Sequence, residues 1–155
     1  MNDLLNTRIS ILGLGTALPS HSLSQTDAAK LMESTLGEKP ELARFARRIF
    51  RSCGVEMRYT CEPSFTGAPE DCEYLPSNQD LEVPSTAERM NTYKREALPL
   101  GIQAAEKSLQ DSNTAPETIT HLITVSCTGQ FLPGLDVLLI KHLGLSPRTT
   151  RIPLI

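Results

Sequence analysis

Four arginines on one short stretch are the residues of this chain best suited to bind an anion. The stretch "ELARFARRIFRSC" carries Arg44, Arg47, Arg48 and Arg51. Spacings of three and four residues place these side chains on one face of a helix. Each guanidinium can form paired hydrogen bonds with phosphate oxygens, although a solvated helix face would explain the same pattern. In a chain of net charge -3, this cluster is where we expect an anionic ligand.

A second stretch, "THLITVSCTGQFLPGLD", ends an apolar run in small polar residues, at Ser126–Gly129. Cys127 could act as a nucleophile only if a nearby base or a helix N-terminus lowered the pKa of its thiol. The sequence offers neither, since His121 on the same predicted strand would lie roughly 20 Å away. Ligands of α/β sheets bind at the carboxyl ends of strands, so we expect Cys127 to line a pocket instead.

The remaining motifs give little support for a cofactor or metal site. "GLGTAL" has Leu18 where a dinucleotide-binding fingerprint needs its third glycine, so a tight turn is the better interpretation. The four cysteines form no C-x-x-C pair, and no zinc site is predicted. A disulfide between Cys61 and Cys72 is conceivable, but the reducing cytoplasm expected for this chain disfavours it.

The composition is that of an ordinary globular protein. The chain has 155 residues, 21% charged and 39% hydrophobic, so we expect one domain spanning residues 1–155. The net charge gives no reason to expect a nucleic-acid partner. No apolar run approaches the roughly 20 residues of a membrane span, and the N-terminus does not resemble a signal peptide. We therefore expect a cytoplasmic protein.

Hydrophobic periodicity predicts strands that alternate with helices. Strands are predicted in "RISILGLGTALP", "VEMRYT", "THLITVSC" and "TTRIPLI"; helices are predicted in "QTDAAKLMESTL", "ELARFARRIFRSC", "STAERMNTYKREALPLGIQAAEKSLQDS" and "GLDVLLIKHLG". Ser24 is the expected N-cap of the first helix, and Gly37 its end. Pro99 should bend or divide the third helix. The order predicts an α/β fold, a mostly parallel sheet layered with helices.

The segment from Cys61 to Pro84 breaks this alternation. It is rich in Pro, Gly, Ser, Asn and acidic residues, and we expect a long surface excursion.

These residues together resemble a known family. "ILGLGTALP", Gln25, "FRSCGVEMRYT" and above all "THLITVSCTGQFLPGLDVLLIKHLGLSPRTTRIPLI" are similar to the N-terminal part of type III polyketide synthases, the chalcone and stilbene synthase family of the thiolase superfamily. The "SCTG" variant resembles microbial alkylpyrone and alkylresorcinol synthases more than the plant enzymes. The resemblance implies the N-terminal half of a thiolase-like fold, and the microbial variant implies long acyl starters.

The resemblance also implies roles for individual residues. Cys127, Thr128 and Gly129 would line the acyl pocket. Leu132 falls where many relatives place a methionine that reaches across a dimer interface, just before Pro133, which implies a homodimer.

The same family places an arginine that binds the phosphates of coenzyme A at the position of Arg48. Two lysines that often accompany it are Phe45 and Ser52 here. We expect Arg44 and Arg51, which share the helix face of Arg48, to compensate for them.

For the complete enzyme, the resemblance implies acyl-CoA and malonyl-CoA substrates, no separate cofactor, and decarboxylative Claisen condensation. The catalytic cysteine, histidine and asparagine of the family have no counterpart in these 155 residues, so no catalytic residue is predicted and the chain alone is expected to be inactive. Two alternatives stay open: a fragment of a ketoacyl synthase III-like condensing enzyme, or a short noncatalytic protein that binds coenzyme A or pairs with a full-length relative.

Overall fold

The computed structural model describes residues 9–36, 39–75 and 82–155. It divides the chain into two compact units. The first unit spans Leu18–Thr92; the second spans Tyr93–Ile155 and includes the described N-terminal residues up to Ala17.

The first unit is built from a strand pair and two helices. Strand β1 (His21–Ser24) pairs with β2 (Met57–Thr60) in antiparallel register, His21 opposite Thr60. Helices α1 (Gln25–Thr35) and α2 (Pro40–Ser52) lie between them in sequence. The helices and β2 confirm the predictions, whereas β1 was not predicted, because its polar sequence "HSLS" carries no apolar alternation.

Helix α1 begins where its capping residues predict. The Ser24 hydroxyl oxygen accepts a hydrogen bond from the Asp27 N–H at 3.0 Å and donates to the Asp27 carboxylate at 2.7 Å. This reciprocal pair satisfies one of the free N–H groups of the first turn. Gly37, the predicted end of the helix, lies outside the described residues.

Helix α2 begins at Pro40 and ends before Gly54, whose φ of +68° lies in the left-handed region that favours glycine. The helical spacing of its apolar residues predicts a buried stripe, which is only partly covered: Leu42, Phe45, Ala46, Ile49 and Phe50. Phe45 is 53% exposed and Ile49 is 47% exposed, whereas Ala43 is buried. The covered side of α2 is therefore rotated away from the predicted stripe and toward its small residues.

The predicted excursion after Cys61 contains short ordered turns. Two 3-10 turns, Pro63–Thr66 and Pro69–Asp71, precede Cys72, which is 1% exposed. The rings of Phe65 and Tyr74 pack with their centroids 5.4 Å apart. Cys61 and Cys72 are free thiols, so the disulfide considered from the sequence does not form.

The second unit contains the parallel part of the fold. Strand β3 (His121–Val125) leads through α4 (Leu135–Leu143) to β4 (Thr150–Leu154), and the two strands pair in parallel, Val125 opposite Leu154. Helix α3 (Thr86–Asp111) crosses the boundary between the units. The crossover helix here is α4, and such a helix is the connection that two parallel strands need. This β-α-β arrangement confirms the α/β prediction for these elements.

Two details of this unit differ from the prediction. Residues 9–19 form no strand: Ile9 is 98% exposed and Ile11 is 89% exposed, and no described strand pairs with them. The segment is extended along α3 instead, with the Leu14 N–H bonded to Asp111 at 2.9 Å. Helix α3 also continues through Pro99, so it is not divided there.

None of the helices in the described ranges combines the length and apolar character needed to cross a membrane. The same part of the chain contains no cluster of three or more His, Cys, Asp or Glu side chains that could hold a metal ion.

Candidate functional site

A small cavity lies at the carboxyl ends of the parallel strands β3 and β4. Its volume is about 60 Å³, and most of its lining is apolar. The residues that line it include Tyr93, Thr124, Ser126, Gly129, Phe131, Asp136 and Leu154. Parallel strands present this end to ligands because the loops that follow them diverge there. A cavity therefore lies in the second unit after β3, where the sequence predicts a pocket, and its ligand stays a prediction.

The wall of this cavity is formed by an aromatic ring lying on a glycine. Gly129 is buried, and a Cβ atom built on it would overlap the ring carbons of Tyr93. The Tyr93 ring also packs near Phe131, with centroids 6.0 Å apart and planes inclined by 58°. Only a residue without a side chain allows this approach of the ring to the backbone.

The three predicted pocket residues have different surroundings in the structure. Gly129 lines the cavity, whereas Cys127 and Thr128 are exposed and do not. The turn is held by Ser126, whose hydroxyl accepts a hydrogen bond from the Gly129 N–H at 3.1 Å. Within the described part of the chain, the Cys127 thiol makes no hydrogen bond to a histidine. The roles of Cys127, Thr128 and Gly129 in an acyl pocket stay predictions.

One charged pair fixes the helix that follows this turn. The Asp136 carboxylate in the first turn of α4 is 7% exposed and accepts a hydrogen bond from the Arg151 guanidinium of β4 at 3.1 Å. A carboxylate is favoured near the N-terminus of a helix, and a buried one requires a partner. The pair therefore ties the N-terminus of α4 to β4, beside the cavity that Asp136 lines.

In the first unit, the arginines of α2 are exposed on the helix surface. Arg44 lies 3.8 Å from Glu41, and the Arg48 guanidinium lies 5.9 Å from the ring centroid of Phe45. Such exposed contacts stabilise little. The guanidinium groups of Arg44, Arg48 and Arg51 are therefore accessible to an anion.

Arg47 has a different role from its neighbours. Its guanidinium pairs with Glu33 of α1 at 2.8 Å, which links the two helices. An open groove of about 620 Å³ lies beside this pair and is also lined by Arg51 and Lys30, but not by Arg44 or Arg48. The predicted coenzyme A residues are thus divided between the groove and the outer surface of α2.

Gln25 holds the C-terminal end of α2 in place. Its amide nitrogen donates to the Phe50 carbonyl at 2.8 Å, and its amide oxygen accepts from Arg58 at 2.7 Å. The Arg58 guanidinium lies over the Phe50 ring, 5.1 Å from its centroid. This network connects α1, α2 and β2, and it gives Gln25, one of the residues that carried the family resemblance, a structural role.

The two predicted interface residues lie in the loop between β3 and α4. Leu132 is 89% exposed and Pro133 is exposed, and the peptide bond between them is cis. An apolar side chain this exposed is consistent with an interface, which stays a prediction.

Sequence reasoning missed Tyr93 and the pairing of Asp136 with Arg151. Tyr93 lies on the long helix predicted in "STAERMNTYKREALPLGIQAAEKSLQDS", and its aromatic side chain was the available signal. Asp136 was visible as a carboxylate at the start of an otherwise apolar helix, which indicates a buried partner.

Comparison with known proteins gives the family. The model of the N-terminal domain of chalcone and stilbene synthases matches residues 3–155. The type III polyketide synthase pspB of Penicillium soppii is 32% identical over 91% of this chain and 33% of its own length. The acylalkylpyrone synthase csyB of Aspergillus oryzae is 26% identical over 97% of this chain and 35% of its own length.

Solved structures agree. The crystal structure of PKS-I from the brown alga Ectocarpus siliculosus superposes with a TM-score of 0.73 at 26% identity, covering 96% of this chain and 40% of that one. A type III pentaketide synthase from Neurospora crassa gives 0.70 at 26% identity, covering 94% and 36%. The chain spans about a third of the length of the curated relatives it matches. It belongs to the chalcone and stilbene synthase family of type III polyketide synthases and corresponds to the N-terminal domain of that family.

Proposed function

We propose that this chain is the N-terminal part of a type III polyketide synthase that condenses an acyl-CoA starter with malonyl-CoA by decarboxylative Claisen chemistry. The observation that supports this best is the family match, which extends over residues 3–155. The cavity at the carboxyl ends of β3 and β4 supports it further, because that is where a sheet of this kind holds a ligand.

Within this proposal, α2 supplies the contacts to the phosphates of coenzyme A. Arg48 is the central residue, with Arg44 beside it on the outer surface of α2 and Arg51 at the adjoining groove. Their guanidinium groups are accessible, whereas Arg47 is occupied by Glu33. Paired hydrogen bonds from arginine suit a phosphate better than a single lysine contact.

The cavity in the second unit takes the acyl part of the substrate. Its walls are mostly apolar, and the hydroxyl groups of Ser126 and Thr124 are near. Such a lining favours a hydrocarbon chain. The 155-residue chain on its own does not perform the condensation, because Cys127 is the only cysteine near this cavity in the described residues and no base activates it.

A homodimer and a cytoplasmic location are further parts of the proposal. The exposed Leu132 supports the dimer. It lies where the family implies a contact with the second subunit.

The experiment that tests the coenzyme A site is a calorimetric titration of the purified chain with coenzyme A. We expect Arg48→Ala to weaken binding about tenfold or more, because a charge-assisted hydrogen bond contributes roughly 1.5–3 kcal/mol. Arg148→Ala is the matched control: it removes one exposed arginine from the turn before β4, in the other unit.

Equal affinities of the unmodified chain and Arg48→Ala would contradict the α2 assignment. Loss of affinity in both variants would show that net charge, rather than the α2 face, attracts the anion.

A further inference from the structure

We propose that Tyr93 limits the length of the acyl chain that the cavity beside β3 and β4 accepts. This inference rests on the proposed function, and it adds a specificity-determining residue to it. The chemical class concerned is the linear acyl group of a CoA thioester.

The volume of the cavity is small for a ligand-binding site. Binding sites for small molecules have volumes of roughly 300–1,000 Å³, and this cavity has about 60 Å³. That is room for a few water molecules or the end of a short hydrocarbon chain, and not for a long one. Some side chain must therefore set the limit.

The contact between Tyr93 and Gly129 identifies that side chain. The Tyr93 ring lies directly on the Gly129 backbone, where even a methyl group would overlap it. The Tyr93 ring therefore fills a space beside Gly129 that would be open if residue 93 had a small side chain. Because Tyr93 also lines the cavity itself, shortening its side chain adds volume to the existing space.

The surroundings keep the ring in this position. On one side it is next to Phe131, with 6.0 Å between centroids. On the other side Gly129 is fixed by its hydrogen bond to Ser126 at 3.1 Å. A ring held between an aromatic neighbour and a fixed backbone makes a firm boundary.

The added space would be apolar. Phe131 and Leu135, both half-buried, contribute to the lining, so an acyl chain that entered the space left by the ring would contact apolar side chains there. Each additional buried methylene is then expected to strengthen binding about fourfold.

The test measures affinity against acyl length. Butanoyl-, hexanoyl-, octanoyl-, decanoyl- and dodecanoyl-CoA are titrated calorimetrically into the unmodified chain and into Tyr93→Ala. In the unmodified chain we expect affinity to stop rising at a short length. In Tyr93→Ala we expect it to continue to rise, by about fourfold for each methylene that the new space buries.

Two variants serve as controls. Tyr93→Phe keeps the ring and should keep the short limit. Tyr59→Ala removes a tyrosine that is 46% exposed on β2 and should leave the length profile unchanged. If Tyr93→Ala does not fold, Tyr93→Leu shortens the side chain with a smaller loss of packing and takes its place.

A second measurement separates this inference from the proposed function. Linear alcohols from butanol to decanol, which lack coenzyme A, are added while the amide resonance of Gly129 is followed by NMR. We expect longer alcohols to shift this resonance in Tyr93→Ala and not in the unmodified chain. Identical length profiles for alcohols in the two proteins would overturn the inference. Failure of every acyl-CoA to bind, with the alcohol result as expected, would overturn the proposed function alone.

Discussion

At the position of Gly129, the lack of a side chain allows the Tyr93 ring to lie against the backbone. The residue types at positions 93 and 129 depend on each other. A larger residue at 129 would displace the ring, and a smaller one at 93 would leave a void. Interiors are packed closely enough that such a mismatch is costly.

We therefore expect Gly129→Ala to reduce the free energy of unfolding by about 1–3 kcal/mol, because the new methyl group would overlap the Tyr93 ring. In a Tyr93→Ala background the same substitution should be nearly neutral, since the obstructing ring is gone. Urea denaturation of the four proteins of this double-mutant cycle measures the coupling.

Gly67→Ala is the matched control for that cycle. The nearest atom to a Cβ at Gly67 is 3.8 Å away, and its φ of -86° is suitable for alanine. If Gly129→Ala reduces the free energy of unfolding equally in the unmodified chain and in Tyr93→Ala, the result would contradict the contact.

The pairing of Asp136 with Arg151 gives a second prediction at the same scale. Arg151→Met should lower the free energy of unfolding by about 1–3 kcal/mol, because it leaves the carboxylate of a side chain that is 7% exposed without its charged partner. Arg148→Met, which removes an exposed arginine three positions earlier, should stay within about 0.5 kcal/mol of the unmodified chain. Equal effects of the two substitutions in urea denaturation would argue against a specific pair.

At the scale of elements, two helices begin with the same device. Ser24 and Asp27 form it in α1, and Ser85 and Glu88 form it in α3, where the Glu88 carboxylate accepts hydrogen bonds from the Ser85 N–H and hydroxyl, each at 2.7 Å. Hydrogen bonding to Ser24 lowers the pKa of Asp27 from its ordinary value, and hydrogen bonding to Ser85 lowers that of Glu88. Each charged carboxylate is thereby favoured in the folded chain.

These lowered pKa values predict how the stability of the folded chain depends on pH. A carboxyl group with a lower pKa in the folded than in the unfolded chain stabilises the fold above its unfolded pKa, about 4, and the contribution is lost as the pH falls through the folded pKa. The double variant Asp27→Asn/Glu88→Gln should therefore lose less stability between about pH 5 and pH 2 than the unmodified chain.

Urea denaturation at several pH values measures this slope. As the control, Glu117→Gln removes an exposed carboxylate that has no hydrogen bond or ion pair in the described residues, and it should leave the slope unchanged. An unaltered slope in the double variant would contradict the role of the caps.

The elements also show what a sequence can and cannot predict. The start of α1 was predictable because Ser24 and Asp27 act locally, and β3, α4 and β4 were predictable because their apolar runs are bounded by clear turns. The strand expected at Ile9 was wrong, since a strand depends on a neighbour that local periodicity does not supply. The contact between Tyr93 and Gly129 joins positions distant in sequence, and no spacing rule predicts it.

At the scale of the whole molecule, the exposed apolar side chains are the feature to explain. Ile9, Ile11 and Leu132 are each at least 89% exposed, and large exposed apolar side chains favour association. We expect the purified chain to associate as its concentration rises, and Leu132→Lys to weaken that association. Val83→Lys, which alters a residue 54% exposed in the first unit, is the control.

Sedimentation velocity over a range of concentrations measures this behaviour. A chain that stays monomeric throughout, or association equally weakened by both substitutions, would contradict a specific role for Leu132.

We propose that this chain is the N-terminal part of a decarboxylative condensing enzyme and is inactive on its own. The most direct measurement is the release of labelled CO₂ from malonyl-CoA, with an acyl-CoA starter, by the 155-residue chain and by the protein translated from its complete reading frame. We predict no release by the chain, and release together with polyketide products by the complete protein. Release by the chain that is lost in Cys127→Ser would contradict the account, and so would a complete protein that releases none.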